Sequence, residues 1–330
     1  MTREALFDGC GRHVTYLRLS VTDRCNYRCT YCMPPEGIRD KLPPSCILSF
    51  EEAASLVRIL AEMGISRIRL TGGEPLVRRG LEELVLRLRE LPGIERILMT
   101  TNGHGLAERL PGLVQAGLSG VSVSLDSLDP TRFRAITRVG DLAEVCAGIE
   151  AAARTFRGVR LNTVAIRGFN DDELGRICTF AWSLGCVPRF IEHMPMSDGA
   201  LRLPGSFMSA EEVRQRLLTD LGGTLEPDEG DGVGSGPARY YRHSSGGLVG
   251  FIAPLTEHFC ADCNRVRLDA RGRLHTCLYH ETGADLASLL RTGGEAAVRH
   301  AVREALRLKP ALHRFATEGA SPKHMAALGG

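Results

Sequence analysis

Two apolar periods alternate along the first two thirds of this 330-residue chain. Short runs rich in β-branched and large aliphatic residues, at 14–21, 65–70, 94–100, 120–125, 159–166 and 188–193, predict strands. Between them, apolar residues recur every three to four positions at 50–63, 81–91, 106–116, 142–155 and 171–184, the spacing of amphipathic helices. Ser49, just ahead of Glu51 and Glu52, marks the N-cap of the first helix. Six strands, each but the last followed by a helix, predict a parallel sheet with right-handed crossovers. Six βα units are too few to close an eight-stranded barrel, so the fold class expected is α/β, an open partial (β/α)6 barrel of the TIM type.

The polar and glycine-rich segments sit where these strands end. Residues 25–32, Thr71-Gly72-Gly73-Glu74-Pro75, 100–103, 124–127 and 194–198 each follow a strand. Ligands of parallel α/β folds bind at the carboxyl ends of the strands, so five motifs are expected around one mouth. Near residue 200 the pattern changes. Glycine-rich residues 222–238 read as a flexible loop, strand-like segments follow at 238–243 and 248–253, and a helix is expected near 295–306. The chain divides on this basis into a barrel over 1–200 and a C-terminal α+β region over 201–330.

Composition narrows the class. A hydrophobic share of 43% and a charged share of 24% are those of an ordinary globular protein. There is no apolar run long enough for a membrane span, and the N-terminus lacks the apolar core of a signal peptide. A net charge of +2 points to neither nucleic acid nor a membrane surface. Eleven cysteines in such a chain read as metal ligands and buried thiols, and the expected compartment is the cytoplasm. The basic residues are nearly all arginine: of 41, only Lys41, Lys309 and Lys323 are lysines.

Candidate chemistry centres on two cysteine trios. Cys25, Cys29 and Cys32 form C-x3-C-x2-C. Three thiolates in eight residues can hold three irons of a [4Fe-4S] cube and leave the fourth open to a small molecule. Zinc is the alternative, though structural zinc sites take four ligands. Cys260, Cys263 and Cys277 supply a second trio, for which zinc, with His258 or His275 as fourth ligand, and iron–sulfur both fit the spacing. Cys10, Cys46, Cys146, Cys178 and Cys186 show no ligand spacing; Cys146 and Cys178 fall in amphipathic helices and read as core thiols.

Leu19-Ser20-Val21-Thr22-Asp23-Arg24-Cys25-Asn26, followed by the first trio and Met33-Pro34, resembles the radical S-adenosylmethionine (SAM) enzymes. Within them the chain is similar to the GTP 3′,8-cyclases of molybdenum cofactor biosynthesis, the MoaA family. That likeness rests on Thr71-Gly72-Gly73-Glu74-Pro75-Leu76, Thr100-Thr101-Asn102-Gly103, Val123-Ser124-Leu125-Asp126 and Arg189-Phe190-Ile191-Glu192 in order. Phe259-Cys260-x2-Cys263-Asn264-Arg265-Val266-Arg267-Leu268 and the final Gly329-Gly330 narrow it to this family.

The resemblance implies two [4Fe-4S] clusters and SAM. SAM would chelate the open iron of the first cluster and meet Tyr31, Gly73, Ser124 and Met194. GTP would be held by Arg18, Arg69, Thr100, Arg160 and the Arg265-Val266-Arg267 stretch, with guanine on the second cluster. Arg160 stands where the family usually has Lys, so a fork replaces a point charge. A radical derived from SAM would take the ribose 3′-hydrogen, and attack on C8 would lead to 3′,8-cyclo-7,8-dihydro-GTP. No general acid or base is assigned; Arg18 and Arg267 are candidate assistants in the last reduction. An external electron donor is needed, and cyclic pyranopterin monophosphate synthase would receive the product. The Gly-Gly tail would thread into the site. The assembly expected is a monomer or homodimer.

The residues agree with that expectation independently. Arginines inside strands, as at 18 and 69, are most economically explained by an anion in the mouth, since a guanidinium fork suits phosphate oxygens. There is no G-x4-G-K-[ST] loop, so phosphates would be held by arginines. Two other readings stay open here: a peptide-modifying radical SAM enzyme with an auxiliary cluster, and a non-catalytic zinc or iron–sulfur scaffold.

Overall fold

The computed structural model describes residues 4–38, 41–196, 205–228, 236–280 and 283–315. In chain order its elements are β1 (Tyr16–Ser20), α1 (Phe50–Glu62), β2 (Arg67–Thr71), α2 (Leu81–Arg89), β3 (Arg96–Thr101), α3 (Leu106–Ala116), β4 (Gly120–Ser124), α4 (Pro130–Thr137), α5 (Leu142–Thr155), β5 (Arg160–Ala165), α6 (Leu174–Ser183) and β6 (Val187–Glu192). There follow α7 (Ala210–Leu221), β7 (Leu225–Pro227), β8 (Arg239–His243), β9 (Leu248–Ile252), β10 (Arg265–Leu268), β11 (Arg273–His275), β12 (Gly283–Asp285) and α8 (Leu286–Arg307).

β1 to β6 lie side by side and parallel, as the sequence predicts for an open α/β barrel. The strands beyond residue 200 continue the same sheet at both edges. β10 pairs parallel with β1, and β9 pairs parallel with β6. Antiparallel β11 and β12 extend one side, and antiparallel β8 and β7 the other. The order β12-β11-β10-β1-β2-β3-β4-β5-β6-β9-β8-β7 leaves the sheet open between its first and last strands.

Parallel strands covered on both faces are usually apolar throughout, but these strands alternate. Leu17, Leu19, Ile68, Leu70, Ile97, Met99, Val121, Val123, Leu161, Val266 and Leu268 pack outward into one core with the helices. Their neighbours Tyr16, Arg18, Arg69, Thr71, Thr100, Asn162, Arg265 and Arg267 line the interior. A period-two strand pattern thus gives a sheet whose outer face is oily and whose inner face is polar and cationic.

Local signals explain most elements. Ser49 caps α1 in a full capping box: its Oγ accepts from Glu52 N at 3.1 Å and Glu52 Oε2 accepts from Ser49 N at 3.0 Å. Two helices lay outside the sequence reading. Both α4 and α7 carry start signals, Asp129 before Pro130, and Ser209 with Glu212 in a second capping box. β6 therefore has its helix after all. Residues 222–238, expected to be a loop, contain β7, whose three residues pair with β8; residues 229–235 lie outside the described residues, as do Gly329 and Gly330. α8 begins well before the expected 295, because a break at Gly294 (φ 69°) separates its first turns from the amphipathic part.

α8 lies against α1 through a row of ion pairs, Arg291 to Glu52 at 2.7 Å, Arg58 to Glu295 and Arg299 to Glu62. Among the described residues no helix is long and apolar enough to cross a membrane. Replacing Ser49 with Ala removes the α1 capping box and is expected to lower stability by about 1 kcal/mol. Urea unfolding would show this as a lower midpoint at unchanged slope.

Candidate active site

One cavity opens at the carboxyl ends of the strands, and both cysteine trios line it. Tyr31, Gly73, Ser124, Met194, Arg18, Arg69, Thr100, Arg265 and Arg267 line it as well. Two predicted residues do not. Val266 points into the outer core, so only its backbone remains on the side of the site. Arg160, half-buried at the amino end of β5, lies outside the cavity wall, although its charge reaches Arg189.

The first trio sits on the loop after β1, and neighbouring elements fix that loop. Arg28 N and Thr30 N donate to Thr137 O and Ile136 O of α4 at 3.0 and 2.9 Å. Arg138, the one described non-glycine residue with positive φ (65°), donates from its guanidinium to Arg28 O at 2.7 Å and Met33 O at 3.1 Å. That backbone conformation is uncommon for arginine and is held here by two hydrogen bonds to the cysteine loop. Gly73 meets the loop from the other side. A Cβ on it would lie 2.2 Å from Arg24 O and 2.8 Å from Cys25 N, so the close approach that demands glycine is that of the chain itself.

Buried acids surround this trio. Glu74 accepts from Thr101 Oγ1 (2.7 Å), Asn102 N (2.7 Å) and Leu76 N (3.0 Å), yet burial pushes its carboxyl up to about 7. Asp126 accepts from Tyr31 Oη at 2.7 Å and Val164 N at 2.9 Å; burial pushes it up to about 6. Burial and then Glu74 raise the Cys25 thiol to about 11. Cys29 is raised well above its ordinary value by burial, with Cys32 and Asp126 adding.

The site residues fit the groups that such a loop implies. Three thiols reach one cavity from one loop, and none of the eleven cysteines is in a disulfide. Thr71 Oγ1, buried on the cavity wall beside Gly72 and Gly73, has no hydrogen-bond partner among the described residues and is placed to bond a polar ligand.

The cationic wall follows from strand register. Arg267 of β10 stands opposite Arg18 of β1, and Arg18 opposite Arg69 of β2, so three arginines lie abreast on the inner face. Like charges placed directly opposite destabilise a sheet. Arg18 is held well below its ordinary value by burial, then by Arg267 and Arg69. Burial, with Arg265 next, lowers Arg267 to about 10. Burial would raise Tyr16, but Arg69 and Arg18 outweigh it and pull its phenol down. Neutral acceptors position Arg69: Tyr16 Oη at 2.6 Å, Ser122 Oγ at 3.0 Å and Thr100 Oγ1 at 3.2 Å. Arg189 joins them through Asn162 Oδ1 (2.6 Å) and Ser122 Oγ (3.2 Å), and burial lowers it to about 10. Such a row is a ready seat for a polyanion.

Cys260, Cys263 and Cys277 lie on loops flanking β10 and β11. Cys263 N donates to Cys260 O at 3.2 Å in a turn. The Arg265 guanidinium lies over the Phe259 ring at 5.0 Å. Burial would raise Cys263, but Arg265 and Lys309 outweigh it and lower it, whereas burial raises Cys260. Neither of the two histidines that a zinc site would draw on lines the cavity with the thiols. His275 Nε2 pairs with Asp269 Oδ2 at 3.0 Å, and His258 Nδ1 bonds Pro254 O at 2.8 Å. Among the described residues no three His, Cys, Asp or Glu side chains converge on a single metal ion.

Several functional positions went unread in the sequence. Arg189 and Glu74 stood inside motifs without a role. Asp126 closed another motif, and Arg138 has its meaning only through α4. Arg12 and Lys309, also in the cavity wall, are far from the trio in sequence and carry no local signal.

This fold and this loop define a protein of the radical SAM class. Residues 19–181 match the model of the radical SAM superfamily, and residues 187–315 that of Molybdenum Cofactor Synthesis C. The chain belongs to the GTP 3′,8-cyclase family. It is 44% identical to the GTP 3′,8-cyclase of Pelotomaculum thermopropionicum over 97% of this chain and 98% of that one. It is 45% identical to GTP 3′,8-cyclase 1 of Pseudomonas aeruginosa over 94% of each. Among solved structures, SuiB of Streptococcus suis bound to S-adenosylmethionine superposes with a TM-score of 0.62, covering 84% of this chain and 66% of SuiB. At 12% identity that likeness shows the fold alone. Membership of the superfamily brings a [4Fe-4S] cluster and SAM as cofactors.

Replacing Gly73 with Ala forces the Arg24–Cys25 peptide away and is expected to lower the iron and sulfide bound per chain; their content after anaerobic reconstitution checks this. Glu74 gives a pH signature. Its folded value near 7 lies above the ordinary 4.5, so its contribution is full below pH 4.5 and is lost as pH rises towards 7. The loss amounts to about 3 kcal/mol. Glu74→Gln is expected to flatten that part of the profile when urea unfolding of the two proteins is compared at pH 5 and pH 7.5.

Proposed function

We propose that this protein is a radical SAM GTP 3′,8-cyclase that converts GTP to 3′,8-cyclo-7,8-dihydro-GTP in the first step of molybdenum cofactor biosynthesis. The observation that carries the reading is the row Arg267–Arg18–Arg69 on the inner sheet face, set in one cavity with both cysteine trios. A triphosphate supplies the negative charge that row needs, and family membership supplies the nucleotide.

Cys25, Cys29 and Cys32 hold the first cluster; Tyr31, Gly73, Ser124 and Met194 hold SAM, with Thr71 as a further hydroxyl donor. When bound, the cluster and SAM supply one-electron chemistry that takes a hydrogen atom from an unactivated C–H bond. Cys260, Cys263 and Cys277 hold a second [4Fe-4S] cluster: three thiols are its protein donors, and neither His258 nor His275 joins them in the cavity wall. Arg18, Arg69, Thr100, Arg265 and Arg267 bind GTP, joined by Arg189 and, from outside the wall, Arg160. Their fixed geometry orients the ribose and excludes water from it, which is most of what a reactive centre needs. Arg18 and Arg267 keep positive charge beside the nucleotide through the final reduction.

In this reading residues 1–200 form the radical-generating unit and 201–330 the substrate-side unit. The reaction takes place in the cytoplasm, draws on an external electron donor, and passes its product to cyclic pyranopterin monophosphate synthase; the enzyme is a monomer or homodimer. A peptide substrate is not favoured by relatives that are GTP cyclases along nearly their whole length.

Anaerobic protein reconstituted with iron and sulfide, then given SAM, reductant and GTP, is expected to form 5′-deoxyadenosine and the cyclic nucleotide together. SAM cleavage that ignores GTP, with no cyclic nucleotide, would sink the reading. Arg69→Met is expected to cut kcat/KM for GTP by about 10- to 100-fold, the worth of a hydrogen bond to a charged group.

A further inference from the structure

A buried ionic cluster lies beside the second cysteine trio in the wall of the same cavity, built from residues far apart in the chain. Asp8 Oδ2 accepts from Arg12 Nε at 2.6 Å, and its Oδ1 accepts from Arg12 N and Cys10 N at 3.0 and 2.9 Å. Lys309 Nζ lies 3.7 Å from Asp8 Oδ2. All three residues are buried. The two cations then spend their remaining donors on backbone carbonyls. Arg12 donates to Cys260 O (2.7 Å), Pro310 O (2.8 Å) and Ala311 O (3.1 Å). Lys309 donates to Cys263 O (2.8 Å) and Arg265 O (2.9 Å).

Buried ions are a costly way to join chain segments, since apolar contacts of the same volume usually stabilise as well or better. What ions add is direction, and here three of the five carbonyls belong to Cys260, Cys263 and Arg265. Arg12 and Lys309 hold those carbonyls by hydrogen bonds, and the thiols and the Arg265 guanidinium line the cavity beside them. The choice of lysine is also informative in a chain with only three among 41 basic residues. A compact ammonium can serve two carbonyls and a carboxylate from one atom, which a planar fork cannot.

We propose that Asp8, Arg12 and Lys309 form a positioning device for the second cysteine trio, fixing the backbone of residues 260–265 so that its three thiols present a preformed ligand set. The proposal rests on the reading of Cys260, Cys263 and Cys277 as ligands of a second cluster. Asp8 supplies the counter-charge, and Arg12 and Lys309 aim the carbonyls.

The test compares full-length wild type, Cys263→Ala, Lys309→Met and Arg12→Lys after anaerobic reconstitution. It reads iron per chain, and the electron paramagnetic resonance of the reduced clusters with SAM and with GTP. Lys309→Met is expected to fall from about eight iron atoms per chain to about four, matching Cys263→Ala. Its SAM-dependent signal should stay as in the wild type. Arg12→Lys keeps the charge but loses the fork; it is expected to hold an intermediate amount of iron and to lose the GTP-dependent change. If Lys309→Met does not fold, Arg12→Lys decides by the same readings. Variants that keep wild-type iron and the GTP response overturn the proposal. So do variants that lose the SAM-dependent signal in step with the iron, since that is a general structural role. A wild type with only about four irons, equal to Cys263→Ala, overturns the second cluster itself and the device with it. That result is distinct from a wild type with about eight that the variants leave unchanged.

Discussion

Three arginines abreast on the inner face of one sheet are the constraint from which the rest of this molecule follows. Arg267, Arg18 and Arg69 are in register on neighbouring parallel strands, an arrangement that costs free energy because the charges are buried and repel. Burial, then Arg267 and Arg69, hold Arg18 well below its ordinary value. The protein lowers that cost with neutral dipoles and not with carboxylates at Arg69 and Arg189, through Tyr16, Ser122, Thr100 and Asn162. Neutral partners fix a guanidinium without quenching it. Of the acids of the same cavity, Glu74 and Asp126 are tied up by the first cysteine loop and its supports, and Glu192 accepts from the backbone of Ala210, Leu255 and Thr256. After burial, the strongest charged influence is Glu74 on Cys25 and Arg265 on Cys263.

The two trios therefore have different surroundings. Cys25 and Cys29 are pushed towards the thiol by burial and nearby acids, whereas cations hold Cys263 towards the thiolate. Cys260, of the same second trio, is raised by burial instead, so the cationic influence is local to Cys263. The two loops are fixed by unrelated means, the first by α4 with Arg138 and by Gly73, the second by Arg12 and Lys309.

The repeating βα pattern was legible because period two and period 3.6 alternate cleanly in the first two thirds of the chain, and α3 and α5 fall where the periodicity puts them. The site's ligand types were legible too, since cysteine spacing and strand-end glycines are local signals. What escaped was either masked locally or inherently long-range. α4 and α7 escaped although their caps were visible, because each is short or follows a break in the pattern. The first turns of α8 were masked by Gly294. β10 is four residues whose alternation of Arg and aliphatic side chains is too short to announce a strand. Its register against β1, which makes the arginine row, is a tertiary fact. So are the partnerships of Arg12 with Cys260 and of Arg189 with Asn162.

The pairing of β10 with β1 also explains why the C-terminal third is not an appendage. An open barrel of six strands has two unpaired edges, each a row of unsatisfied backbone groups. Here the chain returns to cover both, with β10 against β1 and β9 against β6. Covering the β1 edge does two jobs in one step: it satisfies backbone hydrogen bonds, and it carries Arg265, Arg267 and the second trio to within the same cavity as the first. An edge strand added elsewhere would satisfy the backbone equally well but would bring no chemistry. The same strand pairing therefore completes the sheet and sets the second trio in the wall of the cavity that the first also lines, so anything that loosens β10 must weaken fold and site together.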